Sequence, residues 1–187
     1  MKRKLQVFVS STYTDLLNYR QAAVSAILKA GHIPAGMELF TAGDKSQTKT
    51  IEKWIEESDI YMLILGGRYG SIEPTTGLSY IELEYDCAIS LGKPIFSVVI
   101  EGDALSSKVK RLGASCLETG NQSALKLFRN KVLSNMCAFF SDVKDIKLCV
   151  HESMSDHANN PDLKGWIEAS EIDGLNILKE EIGKLRD

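Results

Sequence analysis

Residues 59–65 read DIYMLIL, and residues 66–71 follow at once with GGRYGS. A strand with one wet face alternates apolar and polar residues. This run does not alternate, which suits a central parallel strand buried on both faces. The glycine-rich hexapeptide behind it marks a turn at the strand's carboxyl end.

Working outward, residues 5–9 (LQVFV) form a first strand that runs into Ser10, Ser11 and Thr12. Residues 14–30 carry Leu16, Leu17, Ala23, Val24, Ile27 and Leu28 at helical spacing, and Gly31 stops the helix. Thr12 with Asp15 resembles a capping pair. Residues 32–40 are a second strand, which Pro34 and Gly36 make either irregular or an edge strand. The polar residues 41–50 are a loop, and residues 51–57 are a short helix that turns Trp54 and Ile55 inward. Residues 79–91 form a further helix and 95–100 (IFSVVI) a further strand. Strands alternating with helices predict an α/β fold, a parallel sheet covered on both faces.

Beyond residue 101 the pattern is weaker. It predicts a helix over 124–140, a last strand over 145–150 and a loop over 154–161. Residues 174–186 predict an amphipathic helix that presents Leu175, Ile177, Leu178, Ile182 and Leu185 and docks on its own domain; the alternative is a helix that pairs with a partner. The expected organisation is a domain over 1–150 with a helical extension over 151–187 packed on it.

Of the 187 residues, 44% are hydrophobic, enough for a real core. The net charge of −3 provides no broad basic field, which argues against nucleic acid and anionic membrane as partners. No apolar run approaches the roughly 20 residues needed to span a bilayer. Four unpaired cysteines and three scattered histidines predict reduced thiols, a cytoplasmic location and no metal site.

Ligands of open α/β sheets bind beyond the carboxyl ends of the strands. Residues 10–12, residues 66–71 and the start of the helix at Ser79 should meet there, with residues 38–44, from Glu38 at the end of the second strand, as one wall. Ser79 and Glu82 have the spacing of a capping box. Glu84 has no such role and is the candidate catalytic carboxylate; the alternative is a solvent-facing charge. Its place near a helix N-terminus favours the ionised form. Gly67 lets backbone N–H groups approach an anion, Arg68 can contact it bidentately and Tyr69 can stack on a ring. The hexapeptide lacks the GK[ST] ending of a P-loop, so a plain turn remains open. Ser10, Ser11 and Thr12 cap the first helix or bind ligand oxygens. Arg20 is expected to pair with Asp15 or Asp59.

Three stretches resemble the DUF4062 family, which is grouped with TIR-like domains: VFVSSTYTDLLNYRQAAVSAILKAGHIPAGMELF, SDIYMLILGGRYGSI and LSYIELEYDCAISLGKPI. The resemblance covers residues 5–99 and extends to Gly165-Trp166-Ile167. It implies a flavodoxin-like or TIR-like fold, and a glutamate at position 84 where enzymatic TIR domains carry theirs. The implied function is an NAD+ glycohydrolase or cyclase making a nucleotide signal in bacterial anti-phage defence. On that reading NAD is a substrate and no cofactor is needed. Ser10, Ser11, Thr12, Glu38, Gly67, Arg68, Tyr69 and Ser79 would bind the nucleotide, and an effector protein or a second copy would be a partner. Two alternatives stand beside it: a non-catalytic interaction or nucleotide-sensing module, and an enzyme like the nucleoside deoxyribosyltransferases, which look distantly similar.

Overall fold

The computed structural model describes residues 3–36 and 47–169. The 59–65 run becomes strand β3 (Ile60–Leu65) at the centre of the sheet, with all six residues buried. It pairs in parallel with β1 (Gln6–Ser11) on one side and β4 (Ile95–Ile100) on the other. β2 (Ile33–Ala35) lies outside β1, and β5 (Cys137–Phe140) outside β4. The order is β2-β1-β3-β4-β5, all parallel.

The period of two along β3 builds both halves of the core. Met62 and Ile64 enter the cluster on the face covered by α1 (Leu17–Lys29) and α6 (Val143–Ala158). Tyr61, Leu63 and Leu65 enter the opposite cluster, under α2 (Gln47–Glu57), α3 (Tyr80–Ser90) and α5 (Gln122–Leu133). Two apolar faces on one strand are what the unbroken run requires. Pro34 sits on the edge strand β2, where its missing N–H costs no ladder bond. The remainder of the strand expected over 32–40 runs outside the described residues from position 37.

The carboxyl-terminal third differs from the sequence reading. Residues 145–150, expected as a strand, lie inside α6. Ile146, Val150 and Met154 recur every four residues and are buried, and Asp142 with Asp145 closes a full capping box. That helix also takes up residues 154–158, expected as loop. The helix expected over 124–140 ends at Leu133, and CAFF in 137–140 forms β5 instead. A helix that the sequence reading missed, α4 (Gly102–Leu112), follows β4 directly. Residues 47–50, expected as loop, begin α2. α1 starts at Leu17 rather than 14, and Thr12 Oγ1 donates to Asp15 Oδ1 at 2.5 Å instead of capping a backbone N–H.

Residues 158–166 return to the sheet's amino-terminal edge. Trp166 and Lys4 exchange backbone bonds of 2.7 and 2.8 Å, and Asp59 accepts from the backbone N–H groups of Gln6 and Gly165 at 2.8 Å each. The helix expected over 174–186 lies outside the described residues. Among the described residues no helix is long and apolar enough to cross a membrane.

Leu63 is fully buried at the centre of the sheet. Leu63→Ala should cost about 2–5 kcal/mol, the range for large-to-small core changes, measured by urea unfolding. A loss below about 1 kcal/mol would show that the second face of β3 is not core.

Candidate active site

In a parallel sheet of this order the chain leaves β1 and β3 toward opposite faces, and a crevice opens between their carboxyl ends. Residues 10–15 continue from β1 and residues 66–71 from β3, and the first turn of α3 closes the crevice. A cavity of about 210 Å3 lies there, lined by Ser11, Thr12, Tyr13, Thr14, Arg68, Gly70, Ser71, Tyr80, Ile81 and Glu84.

Glu84 is 4% exposed. Ser10, the penultimate residue of β1, donates its hydroxyl to Glu84 Oε2. Oε1 is buried and has no hydrogen-bond partner among the described residues. Burial raises the pKa of Glu84 to about 7; the Ser10 hydrogen bond and the positive charge of Arg20 oppose that rise without cancelling it. The sequence expectation of a helix-stabilised anion is therefore reversed, because a helix end contributes less than full burial costs.

Glu82 and Glu84 part ways, though Glu82 does not do what its spacing predicts. Ser79 Oγ accepts from the Glu82 N–H at 3.3 Å, so the serine caps α3. The Glu82 carboxylate leaves the cap and accepts from Tyr69 Oη at 2.5 Å, with Lys131 3.5 Å from its other oxygen. Only half of the capping box forms, because a buried tyrosine hydroxyl is the stronger claim on that carboxylate.

The other expected ligand residues fall into two groups. Ser10 contacts Glu84, and Ser11, Thr12 and Arg68 line the cavity. Arg68 is half-buried, and its Nη1 donates to Thr14 Oγ1 at 2.9 Å. Tyr69 points away. It is 1% exposed, its ring meets Phe128 edge-on, and it cannot stack on a ligand. Gly67 packs against α4 and its following turn: a Cβ there would lie 2.6 Å from the Cys116 carbonyl oxygen and 2.7 Å from Leu105. Ser79 is fully buried beneath the helix start. Glu38 lies outside the described residues.

Arg20 is buried and donates from Nη1 to Ser11 Oγ at 3.2 Å, so it braces the cavity wall rather than meeting Asp15 or Asp59 as expected. Asp15 belongs to a buried pair. Lys108 of α4 donates to the Asp15 carbonyl oxygen and lies 3.8 Å from its Oδ2. Sequence reasoning also missed Tyr13 and Tyr80. Both stand beside named candidates, in SSTYT and SYIE, but an aromatic in a turn or first helical position carries no periodic signal. Among the described residues no group of three His, Cys, Asp or Glu side chains could hold a metal ion.

The strand order and the cavity at its switch point define a flavodoxin-like, TIR-like α/β domain. The chain belongs to the DUF4062 family, described as a domain of unknown function, whose model matches residues 6–155. No curated protein matches it. Among solved structures it is similar to the TIR domains of the activated Roq1 resistosome, with a TM-score of 0.53 at 13% identity over 82% of this chain and 99% of that one. At that identity the likeness is one of fold. A CMP N-glycosidase of Clostridium botulinum, BcmB, gives 0.46 at 13% identity over 79% and 98%. A flavo-diiron protein of Thermotoga maritima gives 0.45 at 15% identity over 83% and 36%.

The raised pKa has a measurable consequence. In the unfolded chain Glu84 titrates near its ordinary 4.5, and in the fold near 7. Below pH 4.5 both states hold the proton and nothing is lost. Between 4.5 and 7 the unfolded state gives it up first, so stability falls as pH rises; above 7 the full penalty of about 3 kcal/mol persists. Glu84→Gln cannot ionise. Its stability relative to the parent should rise by about that amount between pH 4 and pH 8, read from urea midpoints. A difference independent of pH would show that the carboxyl is not held in this way.

Proposed function

We propose that this domain cleaves the bond between ribose C1′ and the base of a nucleotide, with Glu84 as the catalytic carboxylate. One observation carries the reading: a buried carboxyl with one oxygen lacking a hydrogen-bond partner among the described residues, lining a cavity at the switch point of a parallel sheet. An ionised carboxylate suits chemistry in which positive charge develops on a sugar ring.

Ser10 holds Oε2, and Oε1 is left without a hydrogen-bond partner among the described residues. As the C1′–N bond breaks, its electron pair leaves with the base and C1′ becomes an oxocarbenium centre. Ionised Glu84 stabilises that centre or bonds to it. Water then adds to C1′ and gives up one proton, which the carboxylate accepts and passes to solvent, or to the base where the base has left as an anion. An intramolecular nucleophile in place of water would give a cyclic product. Arg20 makes the ionised form accessible near neutral pH despite burial, since its charge opposes the desolvation.

NAD is the substrate that the resemblance to TIR-like enzymes favours, and a nucleotide signal in anti-phage defence is the corresponding role. The test is base release from NAD and a panel of nucleotides, followed by chromatography, with the full-length protein. Release should rise as pH increases through about 7, because the active carboxylate is the ionised one. Glu84→Gln should lower it by on the order of 100-fold with binding retained. Full activity in Glu84→Gln would remove the carboxylate from the chemistry. Absence of release from every nucleotide would favour a sensing or interaction module on the same fold.

A further inference from the structure

The cavity beside Glu84 is polar along its length in a way that bond cleavage alone does not use. Its buried end holds the Glu84 carboxyl, and its half-buried side carries the Arg68 guanidinium. Thr14 fixes Nη1 from the facing loop, which occupies one of five donors. Among the described residues no carboxylate forms an ion pair with Arg68. Glu118 feels its charge, but both Glu118 oxygens are taken by the backbone N–H groups of Tyr69, Gly120 and Asn121 at 2.9–3.1 Å. The fork of Arg68 is thus positioned and uncommitted, the state suited to bidentate capture of a phosphate.

Size narrows the ligand further. About 210 Å3 falls below the roughly 300–1,000 Å3 of pockets that enclose a drug-sized molecule. It is enough for one sugar ring with a single phosphate, and a larger ligand extends beyond it. Tyr13, half-exposed, and Tyr80 give the outer wall aromatic surface against which a base can rest without being enclosed.

We propose that the cavity recognises a 5-phosphorylated pentose, with the furanose at Glu84, the phosphate on Arg68 and the base resting outside on Tyr13 and Tyr80. Placing the furanose at Glu84 rests on the function proposed above. The phosphate contact does not: it rests on Arg68, Thr14 and the cavity volume. A dinucleotide would then bind through one phosphoribosyl half, and its second nucleoside would contribute little.

Titration calorimetry on the full-length protein tests this with ribose 5-phosphate, ribose, AMP, adenosine and inorganic phosphate. Ribose 5-phosphate should bind at least about tenfold more tightly than ribose and than inorganic phosphate, and AMP at least about tenfold more tightly than adenosine. Arg68→Ala should abolish both preferences while leaving adenosine affinity and melting temperature unchanged. Arg68→Lys, a point charge without the fork, should restore part of them. Equal binding of AMP and adenosine, binding of inorganic phosphate as tight as ribose 5-phosphate, or a phosphate preference that survives Arg68→Ala would each overturn the proposal, as would binding of none of the probes. The two readings separate cleanly. Phosphate preference without base release retains the recognition and removes the chemistry. Base release without phosphate preference does the reverse.

Discussion

The hydrogen bond from Ser10 to Glu84 ties the end of β1 to the first turns of α3, and it carries the site. It is the only direct polar contact to Glu84 among the described residues, and it satisfies one oxygen of a fully buried carboxyl. A buried polar group left unpaired costs about 1–3 kcal/mol, and a charged one more. The fold therefore tolerates Glu84 only while Ser10 is where the sheet register places it. β1 is paired on both sides, with Ser10 opposite Leu63 of β3, so that register is fixed by the core.

The remaining site contacts hold two loops against this pair. The loop after β1 is anchored from behind by Lys108, which reaches from α4 to the Asp15 carbonyl and packs over the Tyr19 ring. Breaking such a buried ion pair by removing one partner is far more damaging than never having it. The loop after β3 is held by Tyr69, whose N–H bonds Glu118 and whose hydroxyl bonds Glu82. Residues that read as ligand contacts, Gly67 and Tyr69, thus shape the loop. Their neighbour Arg68 is left facing the cavity. A rigid frame with one titratable group and one uncommitted cation is a suitable arrangement for binding an anion and acting on its sugar.

The sheet was legible because its strands are apolar runs with distinct periods. DIYMLIL could be little other than a central strand, and Glu84 stood out once Ser79 explained Glu82. The carboxyl-terminal third was not legible, since KDIKLCV alternates locally while its helical period appears only over Ile146, Val150 and Met154. Nor could the sequence show that Tyr69 turns inward, that Glu82 abandons its cap, or that Lys108 pairs with Asp15 across 93 positions. Those contacts are set by packing between elements distant in the chain. The pKa of Glu84 was misread for the same reason: helix position is local, and burial is not.

Glu84 is a buried carboxyl poised near neutrality, in a cavity proposed to bind a phosphorylated pentose. Carbon-13 NMR titration of its side-chain carboxyl, assigned by comparison with Glu84→Gln, measures this directly. The expected midpoint is near 7 and moves when ribose 5-phosphate is added. A midpoint near the ordinary 4.5, unmoved by that ligand, would contradict it.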